Sequence, residues 1–177
     1  MTRDQLEHAI RAACDVADDT EVYVFGSQAI LGQHPDAPPS LLMSEEADVT
    51  PKNHPELTDR VDAMLGQDSI FHRTYGFYVH GVPIQEAATL PPGWENRAVC
   101  VQNPNTRGLA GWCVEGHDLA ASKLAAFRDK DRDFVRVLLR ERLVDGGMLA
   151  DRVRALPVGE DRRSMLLDWV KATRDSR

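Results

Sequence analysis

Near the start of the chain, apolar positions recur at helical spacing. Leu6, Ala9, Ile10, Ala13 and Val16 share one face between Thr2 and about Ala17, with Thr2 or Asp4 available as the cap. Asp18-Asp19-Thr20 ends that helix, and the spacing then changes. Glu21–Phe25 is a short β-rich run, Gly26-Ser27 a turn, and Gln28–Gly32 the start of a short helix. Pro35, Pro38 and Pro39 make His34–Ser40 a loop, because each proline removes a donor and restricts its predecessor. Ser44–Thr50 is read as a second strand ending at Pro51. Leu57, Val61, Met64 and Leu65 predict a helix stopped by Gly66.

Aromatic and β-branched residues dominate from Phe71 to Val82, which predicts a strand around Gly76–His80, a turn at Gly81 and another short strand near Pro83–Glu86. Pro91-Pro92-Gly93 is a break, Ala98–Val101 a further strand, Asn103–Gly108 a turn and Trp112–Val114 the last strand-like run. From His117 onward the spacing is helical only. Asp118 is a good cap for a helix from Leu119 to about Arg128. Asp131–Arg142, Met148–Leu156 and Ser164–Thr173 follow, the last two separated by Pro157 and Gly159. The expected architecture is α+β: a small mixed β-sheet with flanking helices over residues 1–116, then a C-terminal helical bundle over 117–177.

Composition narrows the class. Of 177 residues 42% are hydrophobic and 28% charged, as in a soluble globular protein. No apolar run approaches the roughly 18 residues that span a bilayer, and the N-terminus lacks a signal-peptide core, so a cytoplasmic protein without membrane partners is expected. Cys14, Cys100 and Cys113 have neither disulfide nor zinc spacing and read as buried small residues. Charge is uneven. Residues 1–116 hold 7 Lys/Arg against 17 Asp/Glu, whereas residues 117–177 hold 14 against 11. The first section suits cations, and the second can face phosphates or RNA.

Two features bear on chemistry. The Gly26-Ser27 turn can offer backbone N–H groups and a hydroxyl to a phosphate. Glu46 and Asp48, at i and i+2 of a strand, present both carboxylates to one point, which suits a divalent metal. Strand, Gly-Ser, helix, then acid-x-acid on a neighbouring strand resembles the nucleotidyltransferase fold of the DNA polymerase β superfamily. The residues that carry the likeness are Phe25-Gly26-Ser27 and Glu46-Ala47-Asp48. Between Ser27 and Glu46 lie 18 residues, a longer gap than the family's usual one, and Glu46 stands where the family usually has Asp.

The second section adds to the resemblance. His117–Leu124 and Arg128-Asp129-Lys130-Asp131 look like the helical segment of AbiEii-like and MenT-like toxins of bacterial type IV toxin–antitoxin systems, with Lys123 and Asp131 at the matching positions. The resemblance implies a Mg²⁺-dependent nucleotidyltransferase that moves an NMP from an NTP to tRNA or a protein, and a toxin with a cognate antitoxin. In that reading Glu46 and Asp48 hold metal, Gly26, Ser27 and Lys123 bind the nucleotide, and Asp131 orients Lys123 or the base. Many such enzymes have a third acid on an adjacent strand, for which Glu86 is the candidate. His72, His80 and His117 show no metal-ligand spacing, and Trp94 and Trp112 read as packing residues. The alternative is a catalytically reduced member of the fold acting as a nucleotide- or partner-binding module.

Overall fold

The computed structural model describes residues 1–175. Helix α1 (Arg3–Ala17) opens on a capping box: Gln5 N donates to Thr2 Oγ1 at 3.3 Å and Thr2 N donates to Gln5 Oε1 at 2.8 Å. Its apolar stripe, Leu6, Ala9, Ile10 and Ala13, is buried as the spacing predicts. Strand β1 (Glu21–Phe25) leads through Gly26 into a 3₁₀ turn, Ser27–Ala29, and the short helix α2 (Ile30–Gln33). The proline-rich loop holds a 3₁₀ turn at Pro39–Leu41 before strand β2 (Glu46–Pro51). Helix α3 (Thr58–Leu65) and strand β3 (Tyr78–Gly81) follow.

Between them lies helix α4 (Ile70–Tyr75), which takes the first part of the aromatic run, while the strand falls close to the expected Gly76–His80. Ser69 accepts from His72 N as its cap and Gly76 ends it at φ 72°, while Phe71 and Tyr75, one turn apart, both pack edge-on against His8 of α1. Residues 83–86 are also not a strand. Pro83, at φ −60°, starts the short helix α5 (Ile84–Ala87), and Glu86 points to solvent. Strands β4 (Val99–Val101) and β5 (Ala110–Cys113) complete the sheet.

The order across the sheet is β3-β2-β1-β5-β4, with β1–β2 and β4–β5 antiparallel and β2–β3 and β1–β5 parallel. Alternation gives the sheet two unlike faces. One carries Val22, Val24, Ala47, Val49 and Val79, all fully buried, and is covered by α1 and α3. The other carries Phe25, Glu46, Asp48, Tyr78 and His80 in register.

Four helices follow: α6 (Gly116–Ala126), α7 (Asp129–Arg140), α8 (Gly146–Arg154) and α9 (Glu160–Asp175). Their apolar residues, among them Leu119, Leu124, Leu138, Leu149 and Leu166, join the sheet's in one continuous core. The cap of α6 is Glu115, not Asp118. Glu115 Oε2 accepts from His117 N at 2.9 Å, so Asp118 falls inside the first turn. There it is fully buried, with Arg97 Nε at 2.7 Å and Arg152 Nε at 3.0 Å, joining α6 to the turn at Trp94–Arg97 and to α8.

Cys14 and Cys113 are buried as expected, and burial pushes both thiols up to about 12; Cys100, however, is exposed. No helix among the described residues is long and apolar enough to cross a membrane.

Candidate active site

Gly26 joins β1 to the 3₁₀ turn at φ 67°, ψ −170°, a conformation essentially confined to glycine. Its missing side chain is also a spatial requirement. A Cβ at this position would lie 1.8 Å from Asp48 Oδ2, so the carboxylate occupies the space that any other residue would fill. The antiparallel register places Phe25 opposite Asp48, which brings the Gly-Ser turn to the acid pair.

Glu46 and Asp48 alternate with buried Ala47 and Val49 and share one face, as their spacing requires. In the parallel register with β3, Glu46 lies beside Tyr78 and Asp48 beside His80. The Tyr78 hydroxyl donates to Glu46 Oε2 at 2.5 Å. His80 Nδ1 is 2.9 Å from Asp48 Oδ1 and 3.7 Å from Glu46 Oε1. Ligand atoms of Glu46, Asp48 and His80 all lie within 4.8 Å of one another.

This crowding sets the protonation of the pair. Burial and then the Glu46 charge push Asp48 up to about 6. Burial acts on Glu46 in the same sense, but the Tyr78 hydroxyl, Asp48 and His80 outweigh it, and Glu46 sits below the usual carboxylate value. For His80 burial favours the neutral ring, and the two neighbouring acids overcome that and raise it. Two carboxylates that face one point and repel each other are suited to a cation.

The opposite wall comes from α6 and α7. Lys123 Nζ donates to Ser27 Oγ at 2.9 Å and stands 3.6 Å from Asp131 Oδ1. Burial lowers the Lys123 pKa against the pull of Asp131 and Asp48. Asp131 is itself buried in the first turn of α7, where its carboxylate accepts from Arg128 Nε at 2.6 Å and Arg128 N at 3.3 Å. Burial pushes that carboxyl up, but Arg128 and Lys123 more than reverse it and hold it below its usual value. Asp131 thereby fixes both the start of α7 and the ammonium that reaches across to the turn.

A cleft of about 450 Å³ opens between the two walls, lined by Gly26, Ser27, Glu46, Asp48, Lys123 and Asp131 together with His80, Arg128 and Lys130. The structure thus brings six of the sequence-derived site residues to one place. Glu86 is not among them: it is exposed on α5 and does not line the cleft. His80 stands beside the acids instead. The sequence did contain a signal for it, since Tyr78 and His80 repeat the i, i+2 spacing of Glu46 and Asp48 on the next strand. That signal becomes visible only when the strand pairing is known.

The arrangement has acids and an imidazole on one side for a cation, and a hydroxyl, an ammonium and a guanidinium on the other for an anion. No curated protein and no solved structure matches the chain with significance. Residues 4–175, nearly its whole length, match the family described as a nucleotidyltransferase of unknown function (DUF6036), and the chain belongs to that family.

Proposed function

We propose that the protein uses a divalent cation, with Mg²⁺ as the expected ion, to transfer an NMP from an NTP to an acceptor hydroxyl on tRNA or a protein. What supports this reading is the convergence of Ser27, Glu46, Asp48, Lys123 and Asp131, drawn from β2, α6, α7 and the turn after β1, on one cleft. The donor set fits the cation: two carboxylates on one strand face, one of them raised to about 6 by burial and then by the Glu46 charge, offer hard oxygen ligands to it. A bound cation would neutralise phosphate charge and help to align the acceptor oxygen with the α-phosphorus.

The chain's own residues supply the rest. Ser27 Oγ and Lys123 Nζ, 2.9 Å apart, form a paired donor for the triphosphate, and Asp131 keeps the ammonium aimed at it. Gly26 lets the backbone approach without a side chain in the way. A bond forms between the acceptor oxygen and the α-phosphorus, the bond from that phosphorus to the pyrophosphate oxygen breaks, and pyrophosphate leaves against Lys123. The acceptor proton passes to the Glu46–Asp48 carboxylate pair.

Lys123 and Asp131 occupy this cleft at the positions that the toxin resemblance singles out, and this supports a toxin that modifies tRNA or a protein and is opposed by an antitoxin. The test incubates purified protein with each α-labelled NTP, Mg²⁺ or Mn²⁺, and total RNA or total protein. Label passes to an acceptor from at least one NTP, and Asp48→Ala and Lys123→Ala each reduce transfer by at least about a hundredfold. No transfer from any NTP overturns the reading and leaves a nucleotide- or partner-binding module. Growth arrest on expression, relieved by Asp48→Ala, is the expected outcome for a toxin, and unimpaired growth removes that part.

A further inference from the structure

We infer that His80 completes the cation site as a nitrogen ligand beside Glu46 and Asp48, and that the site therefore favours a transition ion such as Mn²⁺ over Mg²⁺. This rests on the metal-dependent reading above and adds the identity of the third ligand and the selectivity that follows from it.

The position is built by the sheet. His80 is the register partner of Asp48 across the parallel β2–β3 pair, and Val79, its neighbour, is fully buried, so the imidazole is held on the cleft face. Nδ1 faces both acids, at 2.9 Å from one carboxylate oxygen and 3.7 Å from the other. One ion with ligand distances of about 2.0–2.2 Å spans donors up to about 4.0–4.4 Å apart, and both His80–carboxylate distances fall inside that reach. The Tyr78 hydroxyl engages the other Glu46 oxygen and so orients the first ligand. His80 keeps 43% of its side-chain exposure, so an ion can reach it from the cleft.

The donor type then decides the ion. An imidazole in place of a third carboxylate removes one negative charge, which weakens a hard ion held by oxygen and charge alone. Mn²⁺ recovers part of that loss through the nitrogen, and Mg²⁺ does not.

The test measures binding on the whole protein without nucleotide. Mn²⁺ is titrated by the loss of its free-ion electron paramagnetic resonance signal, Mg²⁺ by competition, for wild type, His80→Asp and His80→Gln, with circular dichroism to confirm folding. Pulsed resonance on the Mn²⁺-loaded protein should show coupling to a directly bound ¹⁴N that both variants lose. The Mn²⁺-to-Mg²⁺ affinity ratio should fall about tenfold in His80→Asp, whose third carboxylate restores Mg²⁺ binding. Bound Mn²⁺ without ¹⁴N coupling, or an unchanged ratio in His80→Asp, overturns the inference and leaves the proposed reaction standing. Coupling without nucleotidyl transfer overturns the reaction alone. Mn²⁺ that fails to bind, or that binds equally to Asp48→Ala, overturns the inference, and the reaction is then judged by label transfer alone.

Discussion

At Gly26 a single absent methyl group sets the geometry of the cleft, because Asp48 Oδ2 uses the room that a Cβ would take. Gly26→Ala therefore has two effects. The positive-φ, extended-ψ backbone costs an alanine about 1–3 kcal/mol, and the Asp48 carboxylate is driven off its position beside Glu46. Urea unfolding should show a loss in that range, and label transfer should fall by at least about a hundredfold. A variant that keeps wild-type transfer would mean that Asp48 can act from elsewhere. Gly26, Ser27 and the acid pair were legible in the sequence, because i, i+2 alternation and the Gly-Ser turn are local properties. Lys123 and Asp131 became legible through resemblance alone: nothing in their spacing says that Lys123 reaches Ser27 across 96 positions. His80 is not legible there, because its role depends on which strand lies beside β2, and Glu86 reads as the third acid only because it is an acid in the right region.

At the scale of elements, most strands and helices follow the apolar pattern, and the departures come from the ends and from tertiary contacts. The run 70–75 has strand-like composition and becomes helical because Ser69 and Gly76 cap it and its aromatic face packs on α1. Asp118 looked like a cap because it precedes an apolar face. Its actual role needs Arg97 and Arg152, which are distant in sequence. Buried Asp118 holds α6, and with it Lys123, against the turn at Trp94–Arg97 and against α8. Asp118→Ala leaves two arginines facing an empty site and should cost about 3–5 kcal/mol, read as a lower urea midpoint. A loss under about 1 kcal/mol would show that the arginines find water instead.

At the scale of the whole molecule, the uneven charge of the sequence becomes the two sides of one cleft, acids from the sheet opposite cations from the helical section. The same carboxylate richness governs how the fold responds to acid. Asp19 is nearly buried at the entry to β1, where it accepts from Asn53 Nδ2 at 2.7 Å and from the backbone of Asn53, His54 and Glu21 at 2.8, 3.1 and 3.0 Å. Burial pushes its carboxyl up, and these donors outweigh burial and hold it below 3.8. Glu7 is held below 4.5 in the same way, burial being outweighed by Asn105, Asn103 and Arg3. A depressed acid gives stability that is present above its unfolded value and lost as pH falls through its folded one. Asp48, raised to about 6, has the opposite sign, and its contribution is lost as pH rises to that value. The cation-free protein should therefore lose stability below about pH 4 as Asp19 and Glu7 take up protons. Asp19→Asn removes one of the depressed carboxyls, others of which, Asp131 among them, remain. Its urea midpoint should be lower at pH 7, by about 1–3 kcal/mol of stability, and should fall less steeply between about pH 5 and pH 3 than the wild type's. Parallel acid limbs in the two proteins would show that Asp19 does not carry this loss and that the remaining carboxylates do.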